Sequence, residues 1–145
     1  MTAKEYLKQV YLLDKRIDSD IEEVTELRAL AEKVTVPMEN ERVQTSRSGE
    51  APFTRALEQI WTLEQEIDEE IDRLVDTKRQ IRKSIDKLED FNYKMILRYR
   101  YIHCCSWNEI SEKMSISLRW AYILHGKALQ AMETVLQAIE GENEK

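Results

Sequence analysis

Glycine and proline are scarce in this chain, three and two among 145 residues. So few turn formers leave little room for β-hairpins, and no glycine-rich loop of the kind that cradles phosphates is present. Long apolar runs are missing as well. No stretch approaches the length of a bilayer-crossing helix, and the first ten residues, MTAKEYLKQV, lack the apolar core of a secretory signal. The two cysteines, Cys104 and Cys105, are neighbours, which strains a mutual disulfide and gives no Cys-x-x-Cys metal spacing. His103 beside them adds an imidazole, but three consecutive side chains diverge instead of converging on one ion. No nucleophile stands near a base, and the carboxylates are spread along helical faces. These absences predict a chain that is not an enzyme, requires no metal or cofactor, has no membrane partner and works in the cytoplasm.

What is abundant is charge, 34% of residues, laid out with helical periodicity. Apolar residues recur at three and four positions from Tyr6 through Val10, Leu13, Ile17, Ile21 and Val24 to Val34. A second series runs from Phe53 through Leu57, Ile60, Leu63, Ile67, Ile71 and Leu74 to Ile81, Ile85 and Leu88, with Lys78 as its one polar step. Its near seven-residue repeat is that of a coiled-coil seam, and the dense acids from Glu64 to Asp72, Glu70 included, read as its solvated face. The spacing predicts an all-α protein whose residues 1–90 form a long antiparallel, coiled-coil-like hairpin. Neither stripe is wide enough to build a large core, and Trp61 and Val75 extend the second one, so assembly into a homo-oligomer is expected over a lone chain. Pro37 and Pro52 bracket a polar stretch expected to be a loop over residues 35–52. Arg42, Gln44 and Arg47 within it offer a secondary contact for a phosphate backbone, and a mobile, solvated connection explains the same composition.

Residues 109–129, EISEKMSISLRWAYILHGKAL, carry the most specific pattern. Ser106 followed by Glu109 is a capping-box signal that starts one helix near Trp107, and Ser117 caps a second one before Leu118. Only a turn fits between Met114 and Ser117. Ile110, Met114, Ile116, Ala121 and Leu124 sit where two such helices touch, which leaves Leu118, Arg119, Tyr122 and Ile123 facing outward. This is the layout of a helix-turn-helix over residues 91–139, followed by an acidic tail at 140–145. Ser115 stands where that turn commonly has glycine to reach a positive φ. The segment FNYKMILRYRYIH supplies a supporting helix, with Trp107 and Trp120 expected to do much of the packing.

On this layout Ser117, Leu118, Arg119, Tyr122, Ile123 and Lys127 are the candidate DNA contacts, joined by Arg98 and Arg100 from the supporting segment. Arg119 matches the two acceptors of guanine, Tyr122 and Ile123 suit phosphate and a thymine methyl, and Lys127 suits phosphate. The net charge of −6 opposes binding to nucleic acid, but residues 92–135 hold six Lys or Arg against three Glu, a local +3. Attraction to double-stranded DNA depends on that local face, and one copy alone is expected to bind weakly.

Read without gaps, Glu109, Ile110, Ser111, Met114, Ser115, Ile116 and Ser117, then Lys127, Ala128 and Leu129, follow the pattern of region four of bacterial sigma factors. With LRYRYI upstream, the basic RVQTSR segment and the long helical first half, the whole resembles small phage and prophage proteins of the ArpU-like late-gene regulator type. Trp120 and Tyr122 depart from that pattern where region four often has Arg. The resemblance implies a phage or mobile-element transcriptional regulator acting in a bacterial host cell, with double-stranded DNA and host RNA polymerase as partners. Two other functions fit the residues: a helical scaffold or assembly protein, and a DNA-packaging component similar to small terminase subunits.

Overall fold

A computed structural model describes residues 1–40 and 46–144, with side chains for residues 1–33 and 51–144. The described chain is all-helical: α1 (Ala3–Asn40), α2 (Ser46–Ile85), α3 (Phe91–Leu97), α4 (Trp107–Met114) and α5 (Leu118–Asn143), with a π-helical turn over Arg98–Ile102. Two prolines expected to bound the connection lie inside helices instead, Pro37 in α1 and Pro52 in α2. A proline removes one backbone donor and crowds the carbonyl four residues back, a cost of about 3 kcal/mol, but a long helix can bend at it and continue. Within the loop expected over 35–52, residues 35–40 and 46–52 are thus helical. Arg42 and Gln44 lie outside the described residues, and Arg47 falls in the first turn of α2 with its side chain outside them. The acidic tail is helical as far as Asn143.

The chain divides into two compact units. Residues 14–73 form one of them, in which α1 and α2 run antiparallel: Arg16 pairs with Glu70 at 2.9 Å, and Arg28, further along α1, pairs with Glu64, further back on α2. Ile17, Val24 and Ala31 from α1 and Ile60 and Ile67 from α2 are its buried apolar residues, each series spaced by seven. The second row of the α2 seam differs from the expected one. Leu63, an expected position, is half-buried and Glu70 turns inward, whereas the equally expected Leu57 and Ile71 are exposed along with Trp61. The reading of Glu70 as a solvated acid is thus corrected: it is 4% exposed, because the seven-residue repeat that half-buries Leu63 carries position 70 into the same seam.

That placement is costly. Burial pushes the Glu70 carboxyl above the ordinary carboxylate range, the Asp20 carboxyl beside it and the charge of Glu66 push it further, and the Arg16 guanidinium opposes them. Oε1 takes the Arg16 bond, and Oε2 is buried without a hydrogen-bond partner. Replacing Glu70 with Leu should raise the stability of this unit by about 1 to 2 kcal/mol, since Arg16 is exposed and keeps its water. The folded state binds the Glu70 proton more tightly than the unfolded chain does. Wild-type stability therefore falls as pH rises from the ordinary carboxylate value through the raised one, and the substitution removes that dependence. Denaturant midpoints across this range check the effect. A lower midpoint for Glu70→Leu at neutral pH would show that the carboxylate supports the hairpin.

The other unit combines residues 1–13 with residues 74–145. The start of α1 belongs here, not only to the hairpin: Leu7 and Val10 are fully buried with Ile81, Ile85, Ile96, Leu97, Ile110 and Met132. Burying side chains of this size contributes about 1.5 to 3 kcal/mol each, against the entropy of ordering the chain. Polar bonds fix the register of the first turns of α1. The Glu133 carboxylate accepts from the Ala3 N–H at 2.6 Å, and the Tyr6 and Ser84 hydroxyls are 2.9 Å apart. The side chain of Asp90 accepts from the Tyr93 N–H at 3.1 Å and so starts α3, which packs on α5.

Candidate nucleic-acid interface

Both helix starts expected around the turn are present. The Ser106 hydroxyl accepts from the Glu109 N–H at 3.2 Å, and the Ser117 hydroxyl accepts from the Trp120 N–H at 3.0 Å. Between them Ser115 adopts the left-handed conformation, φ 55° and ψ 45°. This costs a non-glycine residue about 1 kcal/mol, and local bonds offset it. The Ser115 and Ile116 N–H groups return to the carbonyls of Glu112 and Ser111 at 3.2 and 3.0 Å, and the Ser111 hydroxyl donates to the Ile116 carbonyl at 2.5 Å. A serine thus performs the chain reversal that glycine often serves.

The reversal folds α4 onto α5. Ile110, Ala121 and Leu124 are buried between them, and Met114 and Ile116 are half-buried. Ser117, Leu118, Arg119, Tyr122, Ile123 and Lys127 are all exposed, within three turns of one helix, and the Tyr122 ring reaches back to α4. Trp120 corrects the sequence reading: it lies at the surface, 43% exposed, with the Lys127 ammonium 5.3 Å from its ring centre. Trp107 is the tryptophan that packs, 5.0 Å from the Tyr122 ring and 4.7 Å, edge to face, from His125.

The two arginines of the supporting segment are half-buried and engaged within the unit. Arg98 meets Asp86 at 3.5 Å; Arg100 donates to the Cys105 carbonyl at 2.9 Å and lies 4.6 Å over Trp107. Arg119 and Lys127, by contrast, have exposed side chains. The segment is not one continuous α-helix. After Leu97 the backbone takes a π-helical turn in which the His103 N–H bonds the Arg98 carbonyl at 3.0 Å, and Cys104 follows with φ 54°. Cys105 is a buried thiol 3.6 Å from the Lys113 ammonium.

Sequence reasoning missed His125. It comes four residues after the buried Ala121, and that spacing was the available signal for an inner position. Its Nε2 is 2.7 Å from the Tyr101 hydroxyl, whose own pKa burial pushes up. Burial, and then the positive charges of Lys4 and Arg100, push the His125 pKa down to about 4. An unfolded chain takes up this proton near pH 6.5, so stability is fully present above that pH and is lost as pH falls from there towards 4. His125→Gln should flatten this fall. A smaller part should remain because burial and the charges of Arg98, Lys113 and Lys78 lower the His103 pKa in the same direction. Urea midpoints between neutral pH and the acid end of that window measure it; an unchanged slope in the variant would assign the acid sensitivity to other groups.

The fold and this site define an all-helical protein in which a three-residue turn, Ser115 to Ser117, sets α4 against an exposed face of α5. The chain belongs to the family described as protein of unknown function (DUF1492), whose match spans residues 54–133, from α2 to beyond the outer face of α5. No curated protein and no solved structure matches the chain. No helix among the described residues is long and apolar enough to cross a membrane.

Proposed function

We propose that this protein is a DNA-binding transcriptional regulator of phage or mobile-element type, with α4, the turn and α5 serving as a helix-turn-helix similar to sigma region four. The observation that carries this reading is the pair of serine caps flanking a left-handed Ser115, which leaves Arg119, Tyr122, Ile123 and Lys127 exposed on α5 while Ala121 and Leu124 are buried behind them. In the major groove, Arg119 in the first turn reads guanine, Ile123 meets a thymine methyl, and Tyr122 and Lys127 hold phosphates. Arg98 and Arg100 are assigned a secondary role, because each already has a partner within the unit. Host RNA polymerase is a further partner on the same reading.

Assembly belongs to the proposal. The unit of residues 14–73 leaves Leu57, Trp61 and Ile71 exposed on α2 and Ile21 and Leu30 on α1, while its seam admits the charged Glu70. A second copy covering the α2 row brings two binding units onto one DNA, which offsets the small positive charge of each.

One other reading has an observation in its favour. Leu118, Trp120, Tyr122 and Ile123 give the exposed face more apolar area than a phosphate contact needs, which suits a helical scaffold that binds protein. Titration of duplex DNA carrying the gene's own flanking sequence, repeated over a salt series, separates the two. With two to four phosphates met per chain, the logarithm of the binding constant should fall with the logarithm of salt at a slope of about −2 to −4. Absence of DNA binding at low salt by a folded protein would favour the scaffold.

A further inference from the structure

A cavity of about 270 Å³ opens in the unit that contains the turn. Four separate segments wall it: Lys4, Lys8 and Tyr11 from α1, Arg100 and Tyr101 from the π-helical turn, Trp107 from α4 and His125 from α5. Cys104 completes the lining, which contains three cations and no carboxylate although the chain carries a net charge of −6. The acids at this end of α1 are occupied elsewhere: Glu5 accepts from the Thr2 N–H at 3.2 Å and Glu133 from the Ala3 N–H at 2.6 Å.

We propose that this cavity is a binding site for a small organic anion, one aromatic or heteroaromatic ring bearing a carboxylate or a phosphate. Lys4 and Lys8 are one turn apart on the same face of α1, a like-charge pair that destabilises a helix unless an anion answers it. Arg100 is held ready. One donor bonds the Cys105 carbonyl, the guanidinium is stacked on Trp107, and its remaining donors are left for a guest. Tyr11 and Trp107 supply aromatic surface of the kind that holds a flat ligand, and the buried Tyr101, stacked on His125, lines the cavity behind them. His125 stays neutral near pH 7, so it adds polarity without a fourth charge. The volume lies just below the usual range for ligand pockets, about 300 to 1,000 Å³, and so suits a single-ring guest. The site does not depend on the outer face of α5 meeting DNA.

The test titrates salicylate and phenyl phosphate into the full chain and follows the Trp107 indole N–H and the His125 backbone amide by NMR. Benzyl alcohol and inorganic phosphate serve as the ring without charge and the charge without ring. At least one aromatic anion should give saturable shifts at both positions, with both controls binding about tenfold more weakly or worse. Lys4→Gln with Lys8→Gln, two exposed positions, should weaken that binding by about tenfold without lowering the thermal midpoint. The proposal is overturned by the absence of saturable shifts with both anions, by benzyl alcohol binding as well as they do, or by undiminished binding in the double variant. Duplex DNA moving these signals when neither anion does would overturn it too, and would assign the three cations to a phosphate backbone.

Discussion

Replacing Trp61 and Ile71 together with Lys should convert an assembly of this protein into single chains while leaving its helical content unchanged. Trp61 is 65% exposed and Ile71 40% exposed, so neither contributes much to the seam between α1 and α2. Lysine is a good helix former and relieves the crowd of acids at Glu64, Glu66, Asp68, Glu69 and Asp72. At about 2 kcal/mol for each apolar side chain covered, a pair of chains that loses two from each associates about a millionfold more weakly, before the cost of desolvating the ammonium groups. Light scattering with circular dichroism on the same samples checks this. A wild-type protein that is a single chain at every concentration would mean that the exposed row on α2 faces solvent in the working molecule.

The same row shows where the sequence was legible and where it was not. A repeat of seven was plain from Ile60 and Ile67, and it correctly announced a long helix with a narrow buried stripe. It did not say which neighbouring row would join it inside. Hydrophobicity favours Leu57, Leu63 and Ile71, but the fold half-buries only Leu63 of these and buries Glu70, which meets Arg16 of the partner helix, a contact that nothing local to α2 reveals. The caps at Ser106 and Ser117 were legible because a hydroxyl bonding three residues on is a local event. Ser115 in the left-handed region was marked by the turn's usual preference for glycine, and the Ser111 bond to the Ile116 carbonyl shows how a serine serves there.

Other features depended on distant contacts. Trp120 was expected in the packing on size alone, yet it lies outside while Trp107 takes the inner place between Arg100, Tyr122 and His125. The π-helical turn at Arg98–Ile102 carries no sequence mark. The periodicity assigns Val10 to the hairpin stripe, yet Val10 and its neighbour Leu7 form part of the core with Ile96 and Met132, a pairing set by chain more than eighty residues away.

The exposed face of α5 gives the other large effect. Arg119→Ala should cost about 1 to 3 kcal/mol on the cognate DNA site and much less on random duplex, because a fork of donors on guanine discriminates among bases. Lys127→Ala should weaken both kinds of DNA alike and reduce the salt slope by about 1, as loss of a phosphate contact does. Both side chains lie outside the core, so thermal midpoints should be unchanged within about 0.5 kcal/mol. The most direct measurement is therefore fluorescence anisotropy of labelled cognate and random duplexes with wild type, Arg119→Ala and Lys127→Ala. Specificity should fall in the first variant, Arg119→Ala, and be retained in the second; equal, undiminished DNA binding by all three folded proteins would contradict entry of α5 into the groove.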